Sequence, residues 1–328
     1  MDFIQILSDL VRAAFSAHTA VLALAAIGLN LHFGYTGLLN FGQAGFMLVG
    51  AYGIAVSVVT FGLSFWSALA ISIALSLLLS MLLGAPTLRL RADYFAIASL
   101  AVTEALRFLF RSGWLAPVTG GVNGLQRFGD EFYAMNPLPD TRFALGPLNW
   151  SSDQLFMLIV AWGCVVLAVA VVWLLVNSPW GRVVLSIKQN EDAARSLGRP
   201  VVRFKMESLV IGGLIGSVAG VLLALQQQDV NPDAFMPTQT FFAYAALIIG
   251  GIGRTWGPVV GAIIFWSVMA ATDSLMAQLD QNFAGLLSAQ QLGAMRFVVF
   301  GAGLMLLVAF LSRGMLGKRT KIGGTFVE

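Results

Sequence analysis

The stretch Asn177 to Met206, NSPWGRVVLSIKQNEDAARSLGRPVVRFKM, gathers six cations in a chain otherwise poor in charge: Arg182, Lys188, Arg195, Arg199, Arg203 and Lys205. They face Glu191, Asp192 and, just beyond, Glu207. Its centre predicts a short helix: Asn190 can cap it, Glu191 and Asp192 suit its positive end, Arg195 its last turn, and Gly198 closes it. Ala193, Ala194 and Leu197 then share a small apolar face, suited to docking on a soluble partner; the alternative is a plain solvated loop. Four more charges, Glu104, Arg107, Asp273 and Arg296, fall inside apolar runs, where they must pair or meet water. They read either as a polar gate or vestibule, or as a tie such as Glu104 with Arg107 at i and i+3, or Glu104 with Arg296. Bond-making chemistry lacks its residues. There is no G-x-x-x-x-G-K-[ST] phosphate loop, no H-E-x-x-H, no G-x-S-x-G and no carboxylate pair at metal-ligand spacing. Cys164 is the only cysteine, which rules out an intrachain disulfide, and His18 and His32 have no matching ligand cluster. The expectation is no enzyme activity, cofactor or metal, but transport driven by an ion gradient or by a separate ATPase.

These residues must be positioned by membrane spans. Of 328 residues 58% are hydrophobic and 11% charged, and the mean hydropathy is +0.83, which places the chain in a bilayer. The net charge of +3 is modest and its cations are clustered, a pattern of membrane orientation and anionic head groups, not of nucleic acid. The expected fold is an all-α integral membrane protein, a polytopic bundle of about nine transmembrane helices (8–10). The spans lie near Ala13–Phe33, Phe41–Phe61, Phe65–Ala85, Tyr94–Phe110, Gln154–Val176, Glu207–Gln227, Pro237–Gly251, Trp256–Ala277 and Leu292–Leu311. With that count, Arg89 and Arg91, the six-cation loop, Arg254 and the tail cations Arg313, Lys318, Arg319 and Lys321 all fall on one side, the cytoplasmic one. The N-terminus is then outside and the C-terminus inside. The first apolar run follows Asp2, Asp9 and Arg12 and reads as a retained span, not a signal peptide.

Two glycine-rich segments interrupt this pattern: Gly34 to Gly53, with Asn40, Gln43 and Gly45, and Gly250 to Ala262, with Gly250, Gly251, Gly253 and Pro258. Glycine and proline at membrane depth predict broken or re-entrant backbone that lines a pathway. The competing reading is close helix packing, favoured for Gly212, Gly216 and Gly220, which recur every fourth residue. The organisation is one transmembrane domain over 1–328, with an extracytoplasmic loop at 111–153, a cytoplasmic loop at 177–206 and a cytoplasmic tail at 313–328. The outer loop, rich in proline and aromatics, predicts a short helix or hairpin and is too short for its own core.

In order and spacing, GYTGLLNFGQAGFMLVGAYG, WGRVVLSIKQNEDAARSLG and ALIIGGIGRTWGPVVGAII resemble the permease subunits of branched-chain amino acid ABC transporters of the LivM type. The resemblance covers nearly the whole chain. It implies an importer of a bacterial inner membrane, in which this subunit pairs with a second, similar permease, two cytoplasmic ATP-binding subunits and an extracytoplasmic substrate-binding protein. It also implies that the loop with Glu191, Ala193, Ala194 and Gly198 seats on an ATPase. Urea importers share the same motifs and sugar permeases share them more distantly. The reading from a different class is an ion-coupled carrier or channel acting alone.

Overall fold

An apolar chain without water must satisfy its own backbone, and this one does so as helices. The computed structural model describes residues 10–87, 92–139, 143–145 and 148–282, with 298, 301–302, 305, 321–322 and 325–326 beyond them. Helix α1 (Ala17–Leu29) starts where the Ser16 hydroxyl accepts the Thr19 N–H, and it runs directly into a π-helical turn, Asn30–Tyr35. Then come α2 (Gln43–Val59), α3 (Phe65–Thr87) and α4 (Ala92–Arg111). A connecting segment holds the short helices α5 (Ala116–Thr119) and α6 (Asp130–Ala134), strand β1 (Leu125–Gln126) and a hairpin of β2 (Phe143–Leu145) and β3 (Leu148–Trp150). After α7 (Ser152–Asn177) lie α8 (Pro179–Gln189) and α9 (Glu191–Ser196), then α10 (Val201–Gln227), β4 (Asp229–Val230), α11 (Pro237–Gly250) and α12 (Gly257–Asn282). Among the described residues five helical stretches are long and apolar enough to cross a membrane: Leu10–Tyr35, Phe65–Pro86, Ser152–Asn177, Val201–Gln227 and Gly257–Ser274. Helices α2 and α11 are shorter, and α4 carries Glu104, Arg107 and Arg111. The ninth expected span falls almost wholly outside the described residues, as do Arg89, Arg91, Arg296 and most of the tail.

Helices α1 and α10 form the centre, and nearly every residue of α1 is buried. On α10, a side chain at Gly212 would strike His32, one at Gly216 would strike Gln43, and one at Gly220 would strike the Met47 carbonyl. The four-residue glycine stripe is therefore a packing surface that brings α10 against α1 and α2. Helices α11 and α12 close as a hairpin in the same way: a side chain at Gly261 would meet the Ala246 carbonyl, and one at Gly250 the Gly257 carbonyl. Helices α3 and α7 lie at the periphery and turn Leu78, Leu82, Leu167 and Leu174 outward, toward hydrocarbon.

Three features differ from expectation. The chain is not strictly all-α, because besides the expected hairpin β1 pairs antiparallel with β4, Leu125 opposite Val230, and a two-stranded pair forms at Lys321–Ile322 and Thr325–Phe326. Helix α10 starts at Val201, six residues before the apolar run, with Arg203 paired to Glu207 and Lys205 to Glu191 in the added turns. The stretch before Asn190 is itself helical: Ser178 caps Pro179 at N1, and Gly181, Val184 and Ile187 are buried.

Candidate functional site

At the end of the bundle where α7 and α10 are joined, α8 and α9 make a small platform. Asn190 accepts the Ala193 N–H on its side-chain oxygen (3.0 Å), and its own N–H donates to the Ser186 carbonyl (3.0 Å), so one residue ends α8 and starts α9. The far end of α9 closes through Gly198 N–H to Arg195 O (2.9 Å) and Arg199 N–H to Ala194 O (3.1 Å), with Gly198 at φ +75°. That left-handed residue is what the closing bonds require. Glu191 pairs with Arg195 (3.0 Å) and with Lys205 of α10 (2.6 Å), and Asp192 is exposed in the first turn. Ala194 does not share the face of Ala193 and Leu197, which corrects the sequence reading. It turns about 100° away from Ala193 and is buried with Ile187 and Val201, whereas Leu197 is 82% exposed.

Above this platform the bundle contains a broken-helix seam. Helix α2 does not begin at the bundle's end. Its first residue, Gln43, donates to the Gly212 carbonyl (3.3 Å), and Gly212 lies about 16 Å along α10 at 1.5 Å per residue. Residues 36–42 reach that depth outside any regular helix, and several of their freed backbone groups are held by other partners. Asn40 is fully buried; its N–H donates to the Tyr244 hydroxyl (3.1 Å), which in turn donates to the Asn40 carbonyl (3.0 Å). Its side chain accepts the Gly42 N–H (2.8 Å) and meets His32 Nδ1 (3.1 Å), while His32 Nε2 meets the Leu209 carbonyl (3.3 Å). Phe41 N–H donates to Ser99 and Ala44 N–H to Thr240. Gln43 Nε2 also reaches the Ala25 carbonyl (3.4 Å), and its buried Oε1 has no partner among the described residues. A side chain at Gly45 would press on Thr103 of α4.

The second glycine segment joins the same seam. Residues 251–256 form the α11–α12 connection, with Gly251 at φ +112° and Gly253 at φ +75°. Asn30 of the π turn accepts the Gly253 N–H (2.8 Å) and donates to the Arg254 carbonyl (2.8 Å). Pro258 sits at the second position of α12 and starts that helix without breaking it. Thr36 holds the other side, donating to Leu31 O (2.9 Å) beside Ser208 of α10 (2.6 Å). Lys188 of α8 reaches up to the Gly34 carbonyl (2.5 Å), and partial burial pulls its pKa below the ordinary lysine value.

At the opposite end of α4, Glu104 and Arg107 form the i, i+3 pair (2.8 Å), and Arg107 also binds Asp233 (2.8 Å), which Arg111 shares (3.3 Å). Arg107 is 7% exposed and thereby ties α4 to the turn at Pro232–Phe235. Asp273 lies on α12, apart from these contacts in sequence, and the alternative partner Arg296 lies outside the described residues.

Sequence reasoning missed His32, Tyr244, Lys188 and Asp233. Their partners are 8 to 204 residues away, so no local pattern carries them.

A model of the family described as branched-chain amino acid transport system / permease component matches residues 12–309. The high-affinity branched-chain amino acid transport system permease protein LivM of Escherichia coli is 34% identical over 256 residues, 75% of this chain and 60% of that protein. The probable branched-chain amino acid transport permease protein LivM of Methanocaldococcus jannaschii is 28% identical over 76% of this chain and 78% of its own. The guanosine ABC transporter permease protein NupQ of Bacillus subtilis is 26% identical over 81% and 82%. The matched region thus spans 60% of the E. coli relative's length. The match across both glycine segments and the platform shows that this chain belongs to the branched-chain amino acid transport system permease family.

Proposed function

We propose that the chain is the membrane-spanning permease subunit of an ATP-driven ABC importer and forms part of the pathway for branched-chain or other hydrophobic amino acids. The observation that carries this reading is α9. It is a capped helix held rigidly on α8 and α10 that turns Ala193 and Leu197 to the outside, on a chain with no phosphate loop of its own. A large exposed apolar side chain on a braced platform is an anchor for a protein partner. In this reading two ATP-binding subunits serve the importer, one of them seated on α9. A second, similar permease completes the pathway, and a substrate-binding protein delivers from the opposite side. In this reading α9 lies in the cytoplasm, the N-terminus outside and the C-terminus inside, in a bacterial inner membrane; the cation-rich platform supports that orientation. The seam of residues 36–42 with Asn40 and Gln43 is the element that changes shape during transport, because its backbone is held by side chains instead of a helical ladder. The ties Glu104–Arg107–Asp233 hold the far end of α4 in place.

The substrate is assigned from what the relatives are described as carrying. The test is uptake by the reconstituted complex of labelled leucine, isoleucine, guanosine, arabinose and urea. Saturable leucine uptake that isoleucine competes and the others do not is expected; preference for urea or guanosine overturns the substrate class while leaving the permease reading intact.

A further inference from the structure

The platform and the seam are separate elements, and one side chain bridges them. Lys188 lies on the last turn of α8, two residues before Asn190, which ends α8 and caps α9. Any displacement of α9 therefore passes into the residue that carries Lys188. Its ammonium donates to the Gly34 carbonyl (2.5 Å), in the π turn that ends α1. Its stem lies against Gly37, where an added Cβ would stand 3.2 Å from Lys188 Cγ. Gly37 has φ +74° and is where the chain leaves the π turn for the unwound segment. Lys188 thus straddles the break between α1 and residues 36–42. Among the described residues it has no carboxylate within ion-pair reach, although Glu191 and Asp192 are close in sequence. A cation on the carbonyl end of a helix is favourable, and here that end is also the start of the seam. From the same turn, Asn30 holds Gly253 and Arg254, and Thr36 meets Ser208.

We propose that Lys188 is the positioning residue through which movement of the docking helix reaches the broken-helix seam, by pulling on the Gly34 carbonyl. This deepens the importer reading and rests on it. The Glu191–Lys205 pair is the fixed pivot of the platform, and Lys188–Gly34 is the arm that moves the π turn.

The experiment uses the full complex in proteoliposomes, with Lys188→Met and Lys188→Arg compared to wild type. Three quantities are read: retention of the ATP-binding subunits, ATP hydrolysis, and labelled leucine imported per ATP hydrolysed. Lys188→Met is expected to keep the ATPases and their basal hydrolysis but to import at least about tenfold less leucine per ATP. Lys188→Arg, which keeps a long donor cation, should recover most of the loss. Amide hydrogen exchange at residues 36–41 should speed up in Lys188→Met and return toward wild type in Lys188→Arg. A wild-type ratio in Lys188→Met overturns the proposal, as does an arginine variant no better than methionine. Loss of the ATPases from Lys188→Met also overturns it, since Lys188 would then belong to the docking contact. A wild-type chain that retains no ATPase overturns the importer reading itself, which is a different result.

Discussion

Leu197 and Ala194 stand three residues apart and do opposite things. Leu197 is exposed and is the anchor in the proposed reading, so Leu197→Glu should leave the permease folded and lower ATPase retention at least about tenfold, roughly 1.4 kcal/mol, measured by co-purification. Ala194→Glu instead puts a carboxylate among Ile187 and Val201, at a cost of roughly 1–3 kcal/mol. Its effect should be seen first as faster amide exchange across α8 and α9, whether or not the ATPases are present. If the two variants behave alike, the assignment of faces is wrong. Arg107→Met should strip Glu104 of its cation, leave Asp233 with Arg111 alone and cost about 2–3 kcal/mol, less than a fully buried pair because Asp233 is about one-third exposed. Thermal unfolding in detergent checks this, with Glu104→Gln expected to cost less. The caps at Asn190 and Gly198 were legible because capping depends on residues one to four positions away. The inward turn of Ala194 was not, because it is decided by Ile187 and Val201 on two other helices.

At the scale of elements, hydropathy located eight of the described helices, five of them in stretches long enough to span, to within about five residues, except where α10 extends past its apolar run. The two breaks were also legible, since glycines clustered with Asn40 or doubled at Gly250 and Gly251 mark interrupted backbone, unlike the every-fourth-residue glycines of α10, which only pack. What closes the breaks was not: His32 looked like an isolated histidine, and only the fold brings Asn40 back beside it after the chain reverses. The glycine stripe of α10 makes an element-level prediction. Gly220→Ala adds a methyl group against the Met47 carbonyl and should cost about 1–3 kcal/mol by overpacking α10 on α2. Gly163→Ala on α7, where nothing lies within 4 Å of the added group, should be neutral or slightly stabilising in the same thermal assay.

For the whole molecule, the account requires α9 and the α5–β1 segment to lie on opposite sides of the membrane, joined by helices that cross it. Single cysteines at Ser196 and Val122, in a Cys164→Ala background, should label with an impermeant maleimide from the inside and the outside respectively. Labelling of both from one side contradicts the topology. The central claim is that the chain is a passive pathway worked by a separate ATPase through α9. Its most direct test is leucine uptake by proteoliposomes holding the whole complex, with binding protein and leucine outside and ATP inside, in parallel with vesicles given only a proton or sodium gradient. The account predicts uptake that needs enclosed ATP, is abolished by Leu197→Glu and is indifferent to either gradient. Uptake driven by an ion gradient in vesicles that hold this chain without ATPase subunits would contradict it.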